Sequence, residues 1–161
     1  MHRYRALILA LLLVPLSAMP ARADATAFLG TLTTPSNRPA RGFAVGFGVL
    51  FVGAEFEYAN VVEDKTEGTP SLRTGSANVL FQTPFALAGL RPYATTGVGV
   101  YREELAGARR ETNIGLNTGG GLKVSLFGPL RARVDYRVFK LRGQPLHSVV
   151  HRTYVGLNLS F

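Results

Sequence analysis

The chain is 161 residues long, carries a formal net charge of +8, and has eighteen glycines, nine prolines and no cysteine. That length holds one domain, and the missing cysteines exclude a disulfide framework. Glycine, proline and abundant Val, Thr, Phe and Tyr, with almost no helical periodicity after the first residues, point to an all-β protein.

His2-Arg3-Tyr4-Arg5 is a short basic segment, and Ala6 to Leu16 is an apolar run too short to span a bilayer. Ala21-Arg22-Ala23 then fits the small-x-small cleavage rule, as does Ala23-Asp24-Ala25. The expected organisation is an export signal over residues 1–23, with cleavage after 25 as the alternative, and a barrel domain over 24–161. Cutting after Ala23 removes Arg3, Arg5 and Arg22, which lowers the charge to about +5. The argument for a nucleic-acid partner weakens accordingly, and export takes the chain away from nucleic acid.

The mature chain reads as a series of strands. Thr26 to Thr34 is the first, followed by a turn cluster at Pro35 to Ala40. From Gly42 the alternation is clean: Phe43, Val45, Phe47 and Val49 on one face, Ala44, Gly46 and Gly48 on the other. A reversal within Leu50 to Gly53 leads to Ala54, Phe56 and Tyr58 opposite Glu55 and Glu57. A polar loop from Glu63 to Leu72 precedes a strand from Arg73 to Gln82, with Ala77, Val79 and Phe81 outward and Asn78 inward. After a turn at Thr83 to Leu90, the strand Arg91 to Glu104 sets Val98 and Val100 against Tyr93, Gly97, Gly99 and Tyr101. Glu111 to Ser125 sets Ile114, Leu116, Leu122 and Val124 against Asn113, Asn117 and Lys123. Leu130 to Leu141 puts Ala132, Val134, Tyr136 and Val138 on one face and Arg131, Arg133, Asp135 and Arg137 on the other. A loop over Arg142 to Val149 leads to the last strand, where Val155, Leu157, Leu159 and Phe161 alternate with Tyr154, Gly156, Asn158 and Ser160.

These segments predict eight strands joined by alternating long and short connections, with Phe51, Phe85, Phe127 and Phe161 at the short-turn end. An even strand count, this loop asymmetry and an aromatic girdle are features of outer-membrane barrels. Charges share a face with Gly46, Gly48, Gly97, Gly99, Gly119 and Gly121, as a narrow filled lumen requires; a soluble barrel would put its apolar face inside. The fold expected is therefore an all-β, eight-stranded antiparallel up-and-down transmembrane β-barrel.

The segments Arg91–Glu103, Asn113–Val124, Arg133–Phe139 and His151–Phe161 resemble the bacterial outer-membrane β-barrel superfamily of OmpA-type transmembrane domains and opacity-type surface proteins. The resemblance covers the mature chain and is carried by periodic rather than catalytic motifs. It implies a bacterial outer-membrane location in a Gram-negative cell. It also implies that the closing strand, with Val155, Leu157, Leu159 and Phe161, is the signal read by the barrel-assembly machinery. The chain departs from full-length OmpA-type proteins in ending at the barrel, which puts a cell-wall-tethering role in doubt.

Three constellations could carry function. The first is a lumen charge network of Glu55, Glu57, Lys123, Arg131, Arg133, Asp135 and Arg137. It reads as a plug of ion pairs or, alternatively, as a gated path for a small solute or ion. The second is His147, Ser148 and His151, which suggests an outer-membrane lipid hydrolase; adjacent His147 and Ser148 would point to opposite faces of a strand. The third is a basic rim facing lipopolysaccharide: Arg38, Arg41, Arg109 and Arg110, with Lys65, Arg73, Arg142 and Arg152 nearby. The expectation is a monomeric, non-enzymatic barrel with a structural or surface-interaction role. It needs no cofactor or metal, and its partners are outer-membrane lipid, lipopolysaccharide and the assembly machinery.

Overall fold

The computed structural model describes residues 22–105 and 109–161. The expected export signal lies outside them, apart from Arg22 and Ala23. Eight strands follow in order: β1 (Arg22–Leu32), β2 (Arg38–Val49), β3 (Val52–Val61), β4 (Ser71–Gln82), β5 (Leu90–Leu105), β6 (Arg109–Phe127), β7 (Leu130–Leu141) and β8 (Val149–Ser160). Each pairs antiparallel with its neighbour, and β1 pairs with β8, so the sheet closes into a barrel without an edge.

The seam runs from Asp24 opposite Ser160 to Leu32 opposite Arg152. It continues one step further, where the N–H groups of Ala23 and Phe161 donate to each other's carbonyls at 2.8 and 2.9 Å. Local pattern starts the first strand at Thr26; the strand begins at Arg22 because β2 offers backbone partners from Arg22 on and the β8 side from Ala23 on. The reversal between β2 and β3 is tighter than expected: only Leu50 and Phe51 lie between the strands, and Leu50 takes a φ of 52°. The connection 83–89 lies within the turn expected over Thr83 to Leu90. It folds on itself, with Leu87 and Leu90 exchanging backbone hydrogen bonds at 2.8 and 2.9 Å.

Alternation sorts the side chains. Phe43, Val45, Phe47, Val98, Val100 and Leu157 lie on the outside and are all well exposed. Glu55, Glu57, Arg133, Asp135 and Arg137 lie inside with almost no accessible surface. Phe51, Phe85, Phe127 and Phe161 are exposed at the end carrying the connections 50–51, 83–89 and 128–129. At the other end the pattern inverts. Outward positions become polar, with Arg41, Asn60, Arg73, Arg102 and Lys140, while inward positions become apolar, with Leu32, Val61, Leu72, Leu141 and Val150.

The wall closes tightly because inward glycines let backbones and large side chains approach. A Cβ on Gly121 would sit 2.1 Å from the Val134 carbonyl oxygen and 2.6 Å from the Tyr93 hydroxyl. Gly121→Val should therefore destabilise the barrel by roughly 2–3 kcal/mol, read as a lower urea midpoint for the refolded protein. An unchanged midpoint would show that the β6–β7 wall can yield.

Candidate functional site

The inside of the barrel is filled in layers. In the middle, Glu55 on β3 faces Arg133 and Arg137 on β7. Arg133 grips it in a fork: Nη1 donates to Oε2 at 2.5 Å and Nη2 to Oε1 at 3.2 Å. Arg137 Nη2 donates to the same carboxylate at 2.8 Å, and its Nε to Asp135 at 3.0 Å. Arg137 Nη1 also lies 3.2 Å from Glu57, which accepts a further bond from Arg152 on β8. Three arginines thus meet three carboxylates, all nearly or wholly inaccessible to solvent. Equal opposite charge is what makes such burial tolerable, because an unpaired ion there would carry its full desolvation cost.

Aromatic side chains complete the packing. Tyr93 donates its hydroxyl proton to Asp135 and accepts from Arg133 Nε at 2.7 Å. The Arg133 guanidinium sits 4.7 Å from the centroid of the Tyr93 ring, and that of Arg152 sits 4.8 Å from Phe139. Nearer the aromatic-girdle end, Lys123 pairs with Asp24 at 2.6 Å. Asn117 donates to Asn78 at 2.9 Å, and Asn158 to Thr26 at 2.9 Å.

Above the charges lies an apolar layer that includes Leu32, Val61, Leu72, Phe139, Leu141 and Val150. The outer connections are tied across it. Arg38 donates to the carbonyls of Pro70 and, at 3.3 Å, Thr34. Glu103 accepts from the Leu146 N–H at 3.0 Å, and Tyr101 donates to the Arg142 carbonyl at 2.5 Å. Two partly open spaces between wall and lumen residues measure only about 10 Å³ each.

Six of the seven residues expected in the lumen network, Glu55, Glu57, Lys123, Arg133, Asp135 and Arg137, form its ion pairs. Arg131 points inward but sits half-buried near the girdle end, and among the described residues it forms no salt bridge. Two further members lie outside the expected network: the cleavage pattern claims Asp24 and proximity to a loop places Arg152 at the rim, yet both are strand residues facing in. Extending the Asn158–Gly156–Tyr154 alternation by one step would have placed Arg152 inside.

The rim also needs revision. Arg38 is 3% exposed and serves the loop ties inside the mouth, so it cannot contact an external partner. Arg41, Arg73 and Arg142 are exposed. Arg110 is exposed and pairs with Glu104 at 2.8 Å; the side chain of Arg109 lies outside the described residues. His151 faces outward and shares a 2.7 Å hydrogen bond with the Tyr136 hydroxyl. Among the described residues no hydrogen bond links Ser148 to a histidine side chain, so His147, Ser148 and His151 do not assemble a nucleophile–base pair.

No family model matches the sequence, and neither does any curated protein. Solved structures do match. The N-terminal β-barrel domain of Pseudomonas aeruginosa OprF superposes with a TM-score of 0.69 at 16% identity, covering 87% of this chain and 97% of that one. Neisserial surface protein A superposes with a TM-score of 0.66 at 14% identity, covering 87% and 95%. Ail, the attachment invasion locus protein of Yersinia pestis, gives 0.55 at 12% identity, covering 89% and 99%. At such identities the likeness is one of fold: the closed eight-stranded barrel of outer-membrane proteins.

Breaking one side of a buried pair should cost more than removing both. Glu57→Leu is expected to lose about 3–5 kcal/mol, and Glu57→Leu with Arg152→Met to recover most of it. Urea unfolding of the two variants tests this; equal losses would mean that the pair is hydrated rather than dry.

Proposed function

We propose that this protein is a sealed, monomeric outer-membrane barrel whose role is structural and surface-directed, not catalytic or conductive. The observation that carries the reading is the lumen: paired charges across the middle and an apolar layer under tied loops leave cavities of about 10 Å³. An eight-stranded barrel has an interior only wide enough for side chains, and here side chains fill it. The apolar outer belt and the exposed aromatics at one end support insertion in a bilayer, with the girdle end toward the periplasm. The structural neighbours, including Neisserial surface protein A and Ail, support the same membrane.

In this reading residues 1–23 form the cleaved export signal. Lys123 is buried and its carboxylate partner is Asp24, so cleavage after Ala25 would strand an ammonium in the lumen. Cleavage after Ala23 keeps the pair. The outward face of β8, with Val155, Leu157, Leu159 and Phe161, is offered as the surface read by the barrel-assembly machinery. Outer-leaflet lipid and lipopolysaccharide are the partners of the exposed rim arginines Arg41, Arg73 and Arg110.

Planar-bilayer recording of the refolded protein tests the central point. The expected result is a silent membrane, and discrete conductance steps would favour the transport reading. Two accompanying measurements are specific. The unboiled protein from an outer-membrane fraction should migrate differently from the boiled one. The intact mass of the mature chain should begin at Asp24; a start at Thr26 would refute the role given to the Asp24–Lys123 pair.

A further inference from the structure

The outer wall is not uniform. Across β8, β1, β2 and β3 it carries a trough of about 780 Å³. The trough exists because Ala27 on β1 is flanked in register by Leu157 on β8 and Phe43 on β2. A short side chain lies between two long ones. The lining is apolar except for Arg41 and Asn60.

That exception continues beyond the trough. Arg41 on β2 pairs in register with Asn60 on β3, and Asn60 with Arg73 on β4, so three outward polar side chains stand in one line across three strands. A second concavity of about 430 Å³ shares Arg41 and Asn60 and extends to Ser71 and Arg73. The apolar trough therefore opens onto a basic, hydrogen-bonding shelf. One step below, the outward partners are Phe43 and Tyr58, members of the apolar belt, and on β1 the exposed Leu29 stands level with Arg41. The shelf thus marks the change from apolar to polar outward residues, the level at which a membrane barrel meets lipid headgroups.

Among the described residues neither Arg41 nor Arg73 forms a salt bridge or a side-chain hydrogen bond. Two carboxylates, Glu63 and Glu104, also line the second concavity. Glu104 is engaged by Arg110 at 2.8 Å and Arg102 at 3.8 Å and also feels the charge of Arg73, so around the shelf the guanidinium groups of Arg41, Arg73, Arg102 and Arg110 outnumber the carboxylates of Glu63 and Glu104.

We propose that trough and shelf together bind one phosphorylated acyl lipid of the outer leaflet. An acyl chain lies over Ala27 between Phe43 and Leu157, and a phosphate is held between Arg41 and Arg73, with the Asn60 amide donating from below. The inference rests on the membrane reading and adds to it a specific lipid and a place. Planar guanidinium groups suit phosphate because they form paired, charge-assisted hydrogen bonds. A free phosphate would leave the trough empty. A zwitterionic lipid would fill the trough but set its own cation against two arginines.

The experiment is native mass spectrometry of the full-length mature barrel in dodecyl maltoside, titrated with diphosphorylated lipid A or dioleoylphosphatidylcholine. Four forms are compared: wild type, R41Q/R73Q, A27F, and K140Q as a basic control elsewhere on the exterior. Lipid A should bind wild type at least tenfold more tightly than the phosphatidylcholine. R41Q/R73Q should lose at least tenfold toward lipid A, A27F should lose a similar factor with both arginines intact, and the control should match wild type. Undiminished lipid A binding in R41Q/R73Q or A27F, an equal loss in the control, or equal affinity for both lipids would overturn the site. Each variant's heat-modifiable migration reports that its barrel is closed. A wild type absent from the outer membrane would instead overturn the membrane reading, so the two failures are distinguishable.

Discussion

Glu55 and Glu57 stand on β3, and Arg133 and Arg137 on β7, which is the strand across the barrel from β3 in an eight-membered closed sheet. Their ion pairs therefore span the lumen, where backbone hydrogen bonds cannot reach. Ladder bonds fix each strand to its neighbours; the carboxylate–guanidinium cluster fixes opposite walls to one another. The glycines around it follow from that demand. Arg137 packs against β6 at Gly119, and Tyr93 lies against Gly121, positions where a Cβ would collide with the opposing backbone. A large charged side chain inside a narrow barrel needs an absent one beside it.

The inversion of polarity along the strands follows from solvent. Through the belt, the outside is apolar and the inside holds paired charge. Beyond the line of Arg41, Asn60, Arg73 and Arg102 the outside is polar and the inside is apolar. The first arrangement suits a wall bathed in hydrocarbon and the second a wall bathed in water, so one continuous sheet spans two solvents. The upper layer behaves as a small water-soluble core, and the connections 33–37, 62–70 and 142–148 above it are tied down by Arg38, Tyr101 and Glu103. Closure of the mouth and closure of the lumen are thus separate devices, one apolar and one ionic, with the same consequence for passage of solutes.

The boundary between the two solvents is also where the wall has relief. Ala27 between Leu157 and Phe43 makes a depression that leads to Arg41, and Arg41 with Asn60 belongs to both the apolar and the polar concavity. A lipid-facing surface with uniformly long side chains would be smooth and indifferent to its neighbours. One short residue on β1 and a line of polar ones on β2, β3 and β4 make this sector different from the rest of the circumference.

Period-two alternation is a local property, and it was enough to assign eight strands, their inward and outward faces, the lumen position of Glu55, Glu57, Arg133, Asp135 and Arg137, and the aromatics at one end. A residue's neighbours in sequence decide which face it occupies, and the pleat does the rest. Depth and partnership are not local. Arg38 and Arg152 read as rim residues because they adjoin loops, but strands longer than their apolar stretches carry them inside, to carbonyls and to Glu57 from other strands. Asp24 gains a partner only because Lys123, distant in sequence, stands across from it, and Arg131 forms no salt bridge among the described residues because the carboxylate nearby, Asp24, is taken by Lys123. Closure of the sheet sets these distances, and closure depends on the stagger of all eight strands at once.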